Sequence, residues 1–283
     1  MKILVIGGTR FFGIHMIEDL LEKGHEVTIA TRGKTKDSFG DRVKRVIMDR
    51  EKPESIESAL AGRHFDIVID KIAYCSNDIK ATLDVVSCDK YIHTSTVSVY
   101  YDIDKFVWSE KEFDPHKTPL VWCSRIDFHY GEIKRQAECA LFQAYKGIPA
   151  IAVRIPLVIG KDDYTKRLYS YVEDILKQVP MNIDNLDSKM SFIRSDEAGK
   201  FMAFLVDKDF TGPINASSNG TITLREIIDY VEKKTETKAI LDENGVEAPF
   251  NGFPSYCVDT DTAKKLGFEF TTVTDWIYDL LDD

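Results

Sequence analysis

The chain alternates between short apolar runs and segments whose apolar residues recur at helical spacing. Residues 2–6 form a continuous apolar run, which is typical of a strand buried on both faces. The spacing of apolar residues over residues 12–21 then predicts a helix, and Gly24 suits its C-terminal cap. Strands and helices that take turns with short connections predict a parallel sheet covered by helices on both faces.

This alternation extends to residue 155. The predicted strands after the first cover residues 26–30, 43–48, 66–70, 91–95 and 148–155. The predicted helices between them cover residues 55–61, 77–88 and 130–145. The stretch from residue 100 to residue 129 is rich in aromatic and charged residues, and it predicts a long loop near a functional site.

Beyond residue 160 the predicted elements become shorter. Helices are predicted over residues 164–178, 195–206 and 224–234, and an extended segment over residues 191–193. We therefore predict the α/β class, with a doubly wound parallel sheet (Rossmann) over residues 1–160 that binds a dinucleotide. A small C-terminal α/β substrate lobe is expected mainly over residues 161–283, with some of its segments returning to the first domain.

The composition is that of a globular protein, since 43% of the 283 residues are hydrophobic and 30% are charged. The formal net charge of -10 disfavours nucleic acid as the main partner, because phosphate binding depends on clustered Lys and Arg. No run approaches the ~20 apolar residues of a membrane span. The first residues indicate a strand rather than a signal peptide. We expect a cytoplasmic protein with no membrane partner.

Cysteines and histidines indicate neither a disulfide framework nor a metal site. The five cysteines are odd in number, scattered and without CxxC spacing. The six histidines show no metal-ligand spacing. We expect buried or idle thiols and no bound metal.

A glycine-containing turn over residues 7–13 follows the first strand and opens the first helix. In an open parallel sheet this turn binds a dinucleotide pyrophosphate, because helix N–H groups and the positive end of the helix dipole attract phosphate. Arg10 stands where a Gly-x-x-Gly-x-x-Gly turn has its middle glycine. Ordinary turn chemistry is the alternative. The candidate cofactor-binding residues here are Gly7, Thr9, Arg10, Phe11, Phe12 and Gly13.

The end of the second strand indicates which nicotinamide cofactor binds. An acidic residue there would bind a ribose 2′-hydroxyl and repel a 2′-phosphate, but the chain has Thr31. Arg32 and Lys34 follow, and together with Arg10 they offer three cations to a phosphate. We predict NADP over NAD, with NAD binding and solvated loop charges as the alternatives.

Two further positions complete the predicted cofactor site. Asp49, at the end of the third strand, is placed either to contact adenine or to cap a helix. Ala73, just after the fourth strand, is also a candidate cofactor contact. Both lie at carboxyl ends of strands, where ligands of such sheets bind.

A candidate catalytic set combines two hydroxyls and an amine. Tyr130 and Lys134 are four residues apart on a predicted helix and so share one face. A nearby cation favours the phenolate, which makes tyrosine useful as a general acid or base. Thr96 directly follows the fifth strand, on the same sheet edge as the glycine turn. It is placed to hydrogen-bond a substrate oxygen while Tyr130 moves the proton.

The sequence resembles the extended short-chain dehydrogenase/reductase family, in its NAD-dependent epimerase/dehydratase group. Nearly the whole chain carries the resemblance. Its motifs are the glycine turn, the strand leading into Val99-Tyr100, the Tyr130/Lys134 pair with Glu138, and the segments 154–160, 192–196 and 214–226. The resemblance implies that Thr96 is the catalytic Ser/Thr and that Tyr130 is the acid/base. It also implies that Lys134 binds the nicotinamide ribose and lowers the tyrosine pKa.

In function, the resemblance implies an NAD(P)-dependent epimerase or reductase that moves a hydride and a proton at a hydroxyl or carbonyl of a small molecule such as a nucleotide sugar. A homodimer through the helices starting near Asn77 and Tyr130 is the family habit. Val97-Ser98 stands where family dehydratases commonly carry an Asp-Glu pair, which disfavours dehydration. The alternative is a catalytically silent NADP-binding regulatory or RNA-associated protein on the same fold.

Overall fold

The computed structural model describes residues 1–282. Its main feature is a parallel sheet of seven strands. These strands are β1 (Lys2–Ile6), β2 (Glu26–Thr31), β3 (Lys44–Ile47), β4 (His64–Asp70), β5 (Ser87–Thr96), β7 (Ala150–Ile155) and β11 (Gly212–Asn215). They lie in the order β3-β2-β1-β4-β5-β7-β11, so the chain winds outward from β1 in both directions. The predicted doubly wound α/β fold is confirmed.

Six short strands form three parallel pairs outside this sheet. They are β6 (Val107–Trp108) with β13 (Cys257–Val258), β8 (Leu157–Ile159) with β10 (Phe192–Arg194), and β9 (Met181–Asn182) with β12 (Val246–Glu247). The loop predicted over residues 100–129 therefore contains one short strand, which fixes it to the C-terminal part of the chain.

The helices lie in both layers around the main sheet and in the C-terminal part. They are α1 (Phe12–Glu22), α2 (Pro53–Leu60), α3 (Ser76–Leu83), α4 (Tyr130–Cys139), α5 (Arg167–Leu176), α6 (Ser195–Phe204), α7 (Leu224–Thr235), α8 (Asp261–Lys265) and α9 (Ile277–Leu281). A π-helical turn over residues 140–144 extends α4. No helix among residues 1–282 is long and apolar enough to cross a membrane.

The side chains of β1 alternate between two cores. Ile3 and Val5 pack in the cluster that contains residues of α1 and α6, whereas Leu4 and Ile6 pack with residues of α2, α3 and α4. A strand of a two-sided sheet must be apolar at every position, because successive side chains point to opposite faces. This explains the uninterrupted apolar run that begins the chain.

The predicted helix over residues 77–88 is shorter than expected. α3 ends at Leu83, and the chain is extended from Ser87, which pairs with His64 of β4. Val86, in the intervening segment, is buried. Pairing with β4 decides the outcome, and it is a long-range contact that local spacing does not reveal.

Residues beyond 160 contribute both to the main sheet and to a second core. β11 pairs with β7 at the edge of the sheet, and α6 packs on α1. Gly199 makes this packing close, because a Cβ there would lie 2.6 Å from the Phe12 carbonyl oxygen. The second core includes the stacked rings of Trp108 and Tyr256. The domain division at residue 160 stays a prediction.

Candidate active site

The glycine turn brings the start of α1 against the end of β1. Gly7 and Gly8 both have positive φ, at 92° and 95°, where L side chains are strained. A Cβ on Gly13 would lie 2.6 Å from the Cα of Gly8. Phe11, at the helix N-cap, offers no side-chain cap. The N–H groups of Gly13 and Ile14 donate to the carbonyl oxygens of Arg10 and Phe11, at 3.2 and 2.8 Å. The turn therefore offers an anion mainly the positive end of the helix dipole.

A cavity of about 450 Å³ lies beyond the carboxyl ends of β1 to β4. Eight predicted cofactor residues line it, and they are Gly7, Thr9, Arg10, Phe11, Thr31, Arg32, Lys34 and Asp49. The predicted cofactor residues Phe12, Gly13 and Ala73 are buried and do not line this cavity. The structure thus brings most of the predicted cofactor site to one crevice.

Three cations of this crevice form no ion pair within residues 1–282. Arg32 and Lys34 are exposed, and the guanidinium of Arg10 lies 5.5 Å from the ring centroid of Tyr164. Thr31 Oγ1 accepts a hydrogen bond from the Gly33 N–H at 3.3 Å, which shapes the loop that carries two of the cations. Unpaired cations around a concave surface attract phosphate groups.

Asp49 closes a local turn ahead of α2. Its carboxylate accepts a hydrogen bond from the Glu51 N–H at 3.2 Å, and its own N–H donates to Ser55 Oγ at 3.0 Å. The N-cap of α2 is Lys52, which makes no side-chain cap. Asp49 therefore stabilises the turn that precedes α2. It also lines the cavity in which the sequence predicts an adenine contact.

A second cavity of about 440 Å³ adjoins the first, and Phe11 lines both. It contains two predicted catalytic residues, Thr96 at the end of β5 and Tyr130 at the start of α4. Gly131 makes this approach possible, because a Cβ there would lie 2.6 Å from the Ser98 carbonyl oxygen. The remaining lining residues are Val97, Ser98, Tyr101, Pro156, Leu157, Val158, Arg167, Phe253 and Tyr256.

Tyr130 lines the second cavity, and 47% of the residue is exposed. Burial of the hydroxyl raises the pKa of Tyr130 above its usual value, and its hydrogen bond with Thr96 acts in the opposite direction. The sequence reasoning expected a nearby cation to lower this pKa. In the structure, burial of the phenol has the larger effect on this pKa and raises it.

Lys134 is buried, and it lines neither cavity. Its ammonium donates to the carbonyl oxygens of Ala73 and Thr94, each at 2.8 Å, and lies 4.9 Å from the ring centroid of Tyr74. Burial lowers the pKa of Lys134 to about 8. The four-residue spacing places Tyr130 and Lys134 on one face of α4. It does not reveal that the Lys134 side chain is buried.

A buried carboxylate supports the loop after β4. Asp70 accepts hydrogen bonds from Arg50 and from the Tyr91 hydroxyl. Its other oxygen accepts the N–H groups of Ile72 and Ala73, at 3.1 and 2.9 Å. These bonds fix the backbone whose Ala73 carbonyl accepts a hydrogen bond from Lys134. A sequence signal for this network was available, because Asp70 is a charged residue at the end of a largely apolar strand.

Sequence reasoning also missed residues that close over the first cavity. Arg125 lies 4.6 Å from the ring centroid of Tyr74 and donates to Asp78 at 3.1 Å. It belongs to the 100–129 segment, which was predicted to lie near a site. Tyr101, in the second cavity, also follows that prediction. Aromatic and charged composition identified the segment without indicating which side chains face inward.

Comparison with known proteins gives the family of the chain. The model of the NAD dependent epimerase/dehydratase family matches residues 3–219. The chain belongs to this family. The resemblance seen in the glycine turn and in the Tyr130/Lys134 pair is thereby confirmed, and membership supports a nicotinamide cofactor.

Individual relatives are more distant. The chain is 26% identical to the chloroplast stem-loop binding protein of 41 kDa b from Arabidopsis thaliana over 178 residues, which are 58% of this chain and 43% of that protein. UDP-glucose 4-epimerase from Thermotoga maritima, solved with UDP-glucose, has a TM-score of 0.72 at 17% identity, covering 95% of this chain and 93% of that one. UDP-glucuronic acid 4-epimerase from Bacillus cereus, in complex with NAD, has a TM-score of 0.69 at 17% identity, covering 100% and 96%. Likeness at such identities shows a shared fold.

Proposed function

We propose that the protein is an NAD(P)-dependent epimerase or reductase that moves a hydride and a proton at a hydroxyl or carbonyl group. The observation that carries this proposal is the meeting of Thr96 and Tyr130 in a cavity that Phe11 separates from the glycine-turn crevice. A dinucleotide that spans both cavities would bring its nicotinamide end beside the two hydroxyls.

The crevice fits a phosphate-bearing dinucleotide. The glycine turn brings the positive end of the α1 dipole to the crevice, and Arg10, Arg32 and Lys34 supply unpaired positive charge. When bound, a nicotinamide supplies or accepts the hydride. We propose NADP as the preferred cofactor, because no acidic side chain replaces Thr31 and two cations follow it. NAD is the alternative.

The proton steps belong to this chain's own residues. Tyr130 takes the proton of a substrate hydroxyl during oxidation, and it returns a proton to the carbonyl oxygen during reduction. Thr96 holds the same substrate oxygen by a hydrogen bond. Lys134 binds the nicotinamide ribose in this proposal, as family membership implies. Tyr74, whose ring lies over the Lys134 ammonium, would then have to move.

We propose a small-molecule substrate of the nucleotide-sugar class. The Thermotoga maritima neighbour was solved with UDP-glucose, which supports the class without selecting a sugar. The pocket beside Tyr130 also carries Arg167, a cation suited to a phosphate. A cytoplasmic location and a homodimer through α3 and α4 complete the proposal.

A second candidate, stem-loop RNA binding without catalysis, is favoured by the Arabidopsis relative, which is a stem-loop binding protein by name. The net charge of -10 opposes it, because RNA affinity depends on phosphate neutralisation. Filter binding to a stem-loop RNA at two salt concentrations separates the candidates. Tight, salt-dependent RNA binding together with no turnover of any sugar would favour the second.

The deciding experiment is a screen of nucleotide sugars and small carbonyls, followed at the nicotinamide absorbance band. With a substrate in hand, Tyr130→Phe should lower turnover on the order of 100-fold or more, since general acid–base catalysis is worth that much. Cofactor affinity should stay nearly unchanged. Tyr278→Phe, in α9 and outside the lining of both cavities, is the matched control. Full activity in Tyr130→Phe would contradict the proposed acid–base role.

A further inference from the structure

Lys71 is a cation of the first cavity that neither the sequence reasoning nor the proposed mechanism uses. It follows Asp70 directly, at the carboxyl end of β4, and it lines the same crevice as the glycine turn. A Cβ placed on Gly7 would lie 3.6 Å from the Lys71 Cβ. The lysine therefore stands across the crevice floor from the turn where a pyrophosphate binds in this fold.

The amine of Lys71 has no carboxylate partner within residues 1–282. Its Nζ lies 4.0 Å from the ring centroid of Phe12, the first residue of α1. The nearby carboxylate that acts on it is Asp162, which is already engaged by the His15 ring at 3.1 Å and by the Ser195 hydroxyl at 2.5 Å. An amine held at the start of a helix, without a counter-ion, is open to an anionic ligand.

Other charged groups of the crevice define what surrounds Lys71. Arg10 lies on the glycine turn and Arg125 on the 100–129 segment, and both line the same cavity. Asp162 and Tyr164 belong to the loop that follows β8. Burial lowers the pKa of Lys71 to about 8, while Asp162 acts in the opposite direction. At pH 8 part of the protein therefore carries a neutral amine at this position.

We propose that Lys71 binds the pyrophosphate of the dinucleotide and takes up a proton as the ligand arrives. This inference rests on dinucleotide binding under the proposed function. The bound anion stabilises the ammonium form, so a proton leaves the buffer acid and forms an N–H bond at Nζ, and no other bond is made or broken. Arg32 and Lys34, on the opposite side of β1, remain for the adenosine end. The two groups of cations thus separate pyrophosphate recognition from recognition of the 2′-phosphate.

Calorimetry tests this with purified full-length protein and NADP⁺ at pH 8, in two buffers of different ionisation enthalpy. The difference between buffers gives the number of protons taken up on binding. Lys134, whose pKa is also lowered to about 8 by burial, is present in both proteins, so a proton that it exchanges cancels in the comparison. Wild-type protein should take up more protons than Lys71→Arg, because guanidinium is always protonated.

Affinity supplies the second measurement. Lys71→Arg should bind NADP⁺ and ADP with little loss, whereas Lys71→Met should bind both about tenfold more weakly, as expected when a charge-assisted hydrogen bond is lost. Exposed Lys146→Met is the matched control and should behave like the wild type. Because Lys71→Met removes a buried cation, its melting temperature is measured alongside. If Lys71→Met does not fold, the comparison of proton uptake between the wild type and Lys71→Arg tests the role of Lys71.

Two results overturn the inference in distinguishable ways. Equal proton uptake in the wild type and in Lys71→Arg, or wild-type affinity in a folded Lys71→Met, removes Lys71 from the phosphate site while dinucleotide binding stands. Failure of the wild type to bind NADP⁺, NAD⁺ or ADP removes the proposed function, and this inference falls with it.

Discussion

The carboxylate of Glu138 and the guanidinium of Arg154 form a fully buried ion pair, with 2.6 Å between Oε2 and Nη2. Glu138 also accepts a hydrogen bond from Ser95 of β5, and Arg154 donates to the Tyr100 hydroxyl at 2.9 Å. A further Arg154 bond reaches the Phe113 carbonyl oxygen at 3.0 Å. The pair therefore ties α4, which carries Tyr130 and Lys134, to the strands at the site.

Glu138→Ala should destabilise the protein by about 3–5 kcal/mol, because it leaves a buried guanidinium without its counter-charge. Urea unfolding monitored by circular dichroism measures this loss. Glu173→Ala is the control, since it removes an exposed pair with Lys177 and should cost less than about 0.5 kcal/mol. A similar loss of unfolding free energy in both variants would contradict a stabilising role of the buried ion pair.

Gly131→Ala should impair catalysis more than binding of the cofactor. A methyl group there would meet the Ser98 carbonyl oxygen at 2.6 Å, so the start of α4 must shift and carry the Tyr130 hydroxyl away from Thr96. We expect kcat to fall on the order of 100-fold, because a small misplacement of reacting groups causes a loss of that size. Steady-state kinetics and cofactor titration measure the two effects. Gly147→Ala, where nothing lies within 4 Å, should match the wild type.

Arg32→Ser and Lys34→Ser should each weaken NADP⁺ binding on the order of tenfold or more while leaving NAD⁺ binding unchanged. The reason is that each side chain would lose a charge-assisted hydrogen bond to the 2′-phosphate, a group that NAD⁺ lacks. Fluorescence titration with both cofactors measures the ratio. Lys36→Ser, which changes an exposed lysine outside the crevice, is the control. Parallel losses for both cofactors would contradict a 2′-phosphate contact.

The stability of the protein should depend on pH through His15. Its hydrogen bond to Asp162 raises the pKa of the imidazole above its usual value. A raised folded-state pKa stabilises the protein below the unfolded value of about 6.5, and this stabilisation disappears as pH rises through the folded pKa. Urea midpoints from pH 5.5 to 8 should show His15→Gln less stable at the acid end and equal to the wild type at the alkaline end. His116→Gln is the control, and a pH-independent deficit in His15→Gln would refute the linkage.

Much of the architecture was predictable because local patterns carry it. The buried run of β1, the glycine turn and the helix that follows each have a short-range signature, and together they place the crevice. The pairing of Thr96 with Tyr130 followed from strand order, since ends of parallel strands and the helices after them meet at one edge. Family resemblance added the roles of these residues.

The features that the sequence did not predict depend on contacts between residues far apart in the chain. Nothing near Arg154 in the sequence indicates that Glu138 and Ser95 will surround it, and a charged residue at the end of a strand is usually interpreted as solvated. The depth of Lys134 depends on the carbonyls of Ala73 and Thr94, 61 and 40 positions away. Such contacts form only when the sheet assembles, so spacing along one helix does not reveal them.

Phe11 is the shared wall of the two cavities, and it is held at a φ of 56° at the start of α1. Any ligand that displaces this ring changes the shape of the neighbouring compartment as well as its own. Occupancy of the two compartments is then thermodynamically coupled, and each ligand alters the affinity for the other by the same factor. A ring displaced by the dinucleotide would in this way reshape the compartment that holds Thr96 and Tyr130.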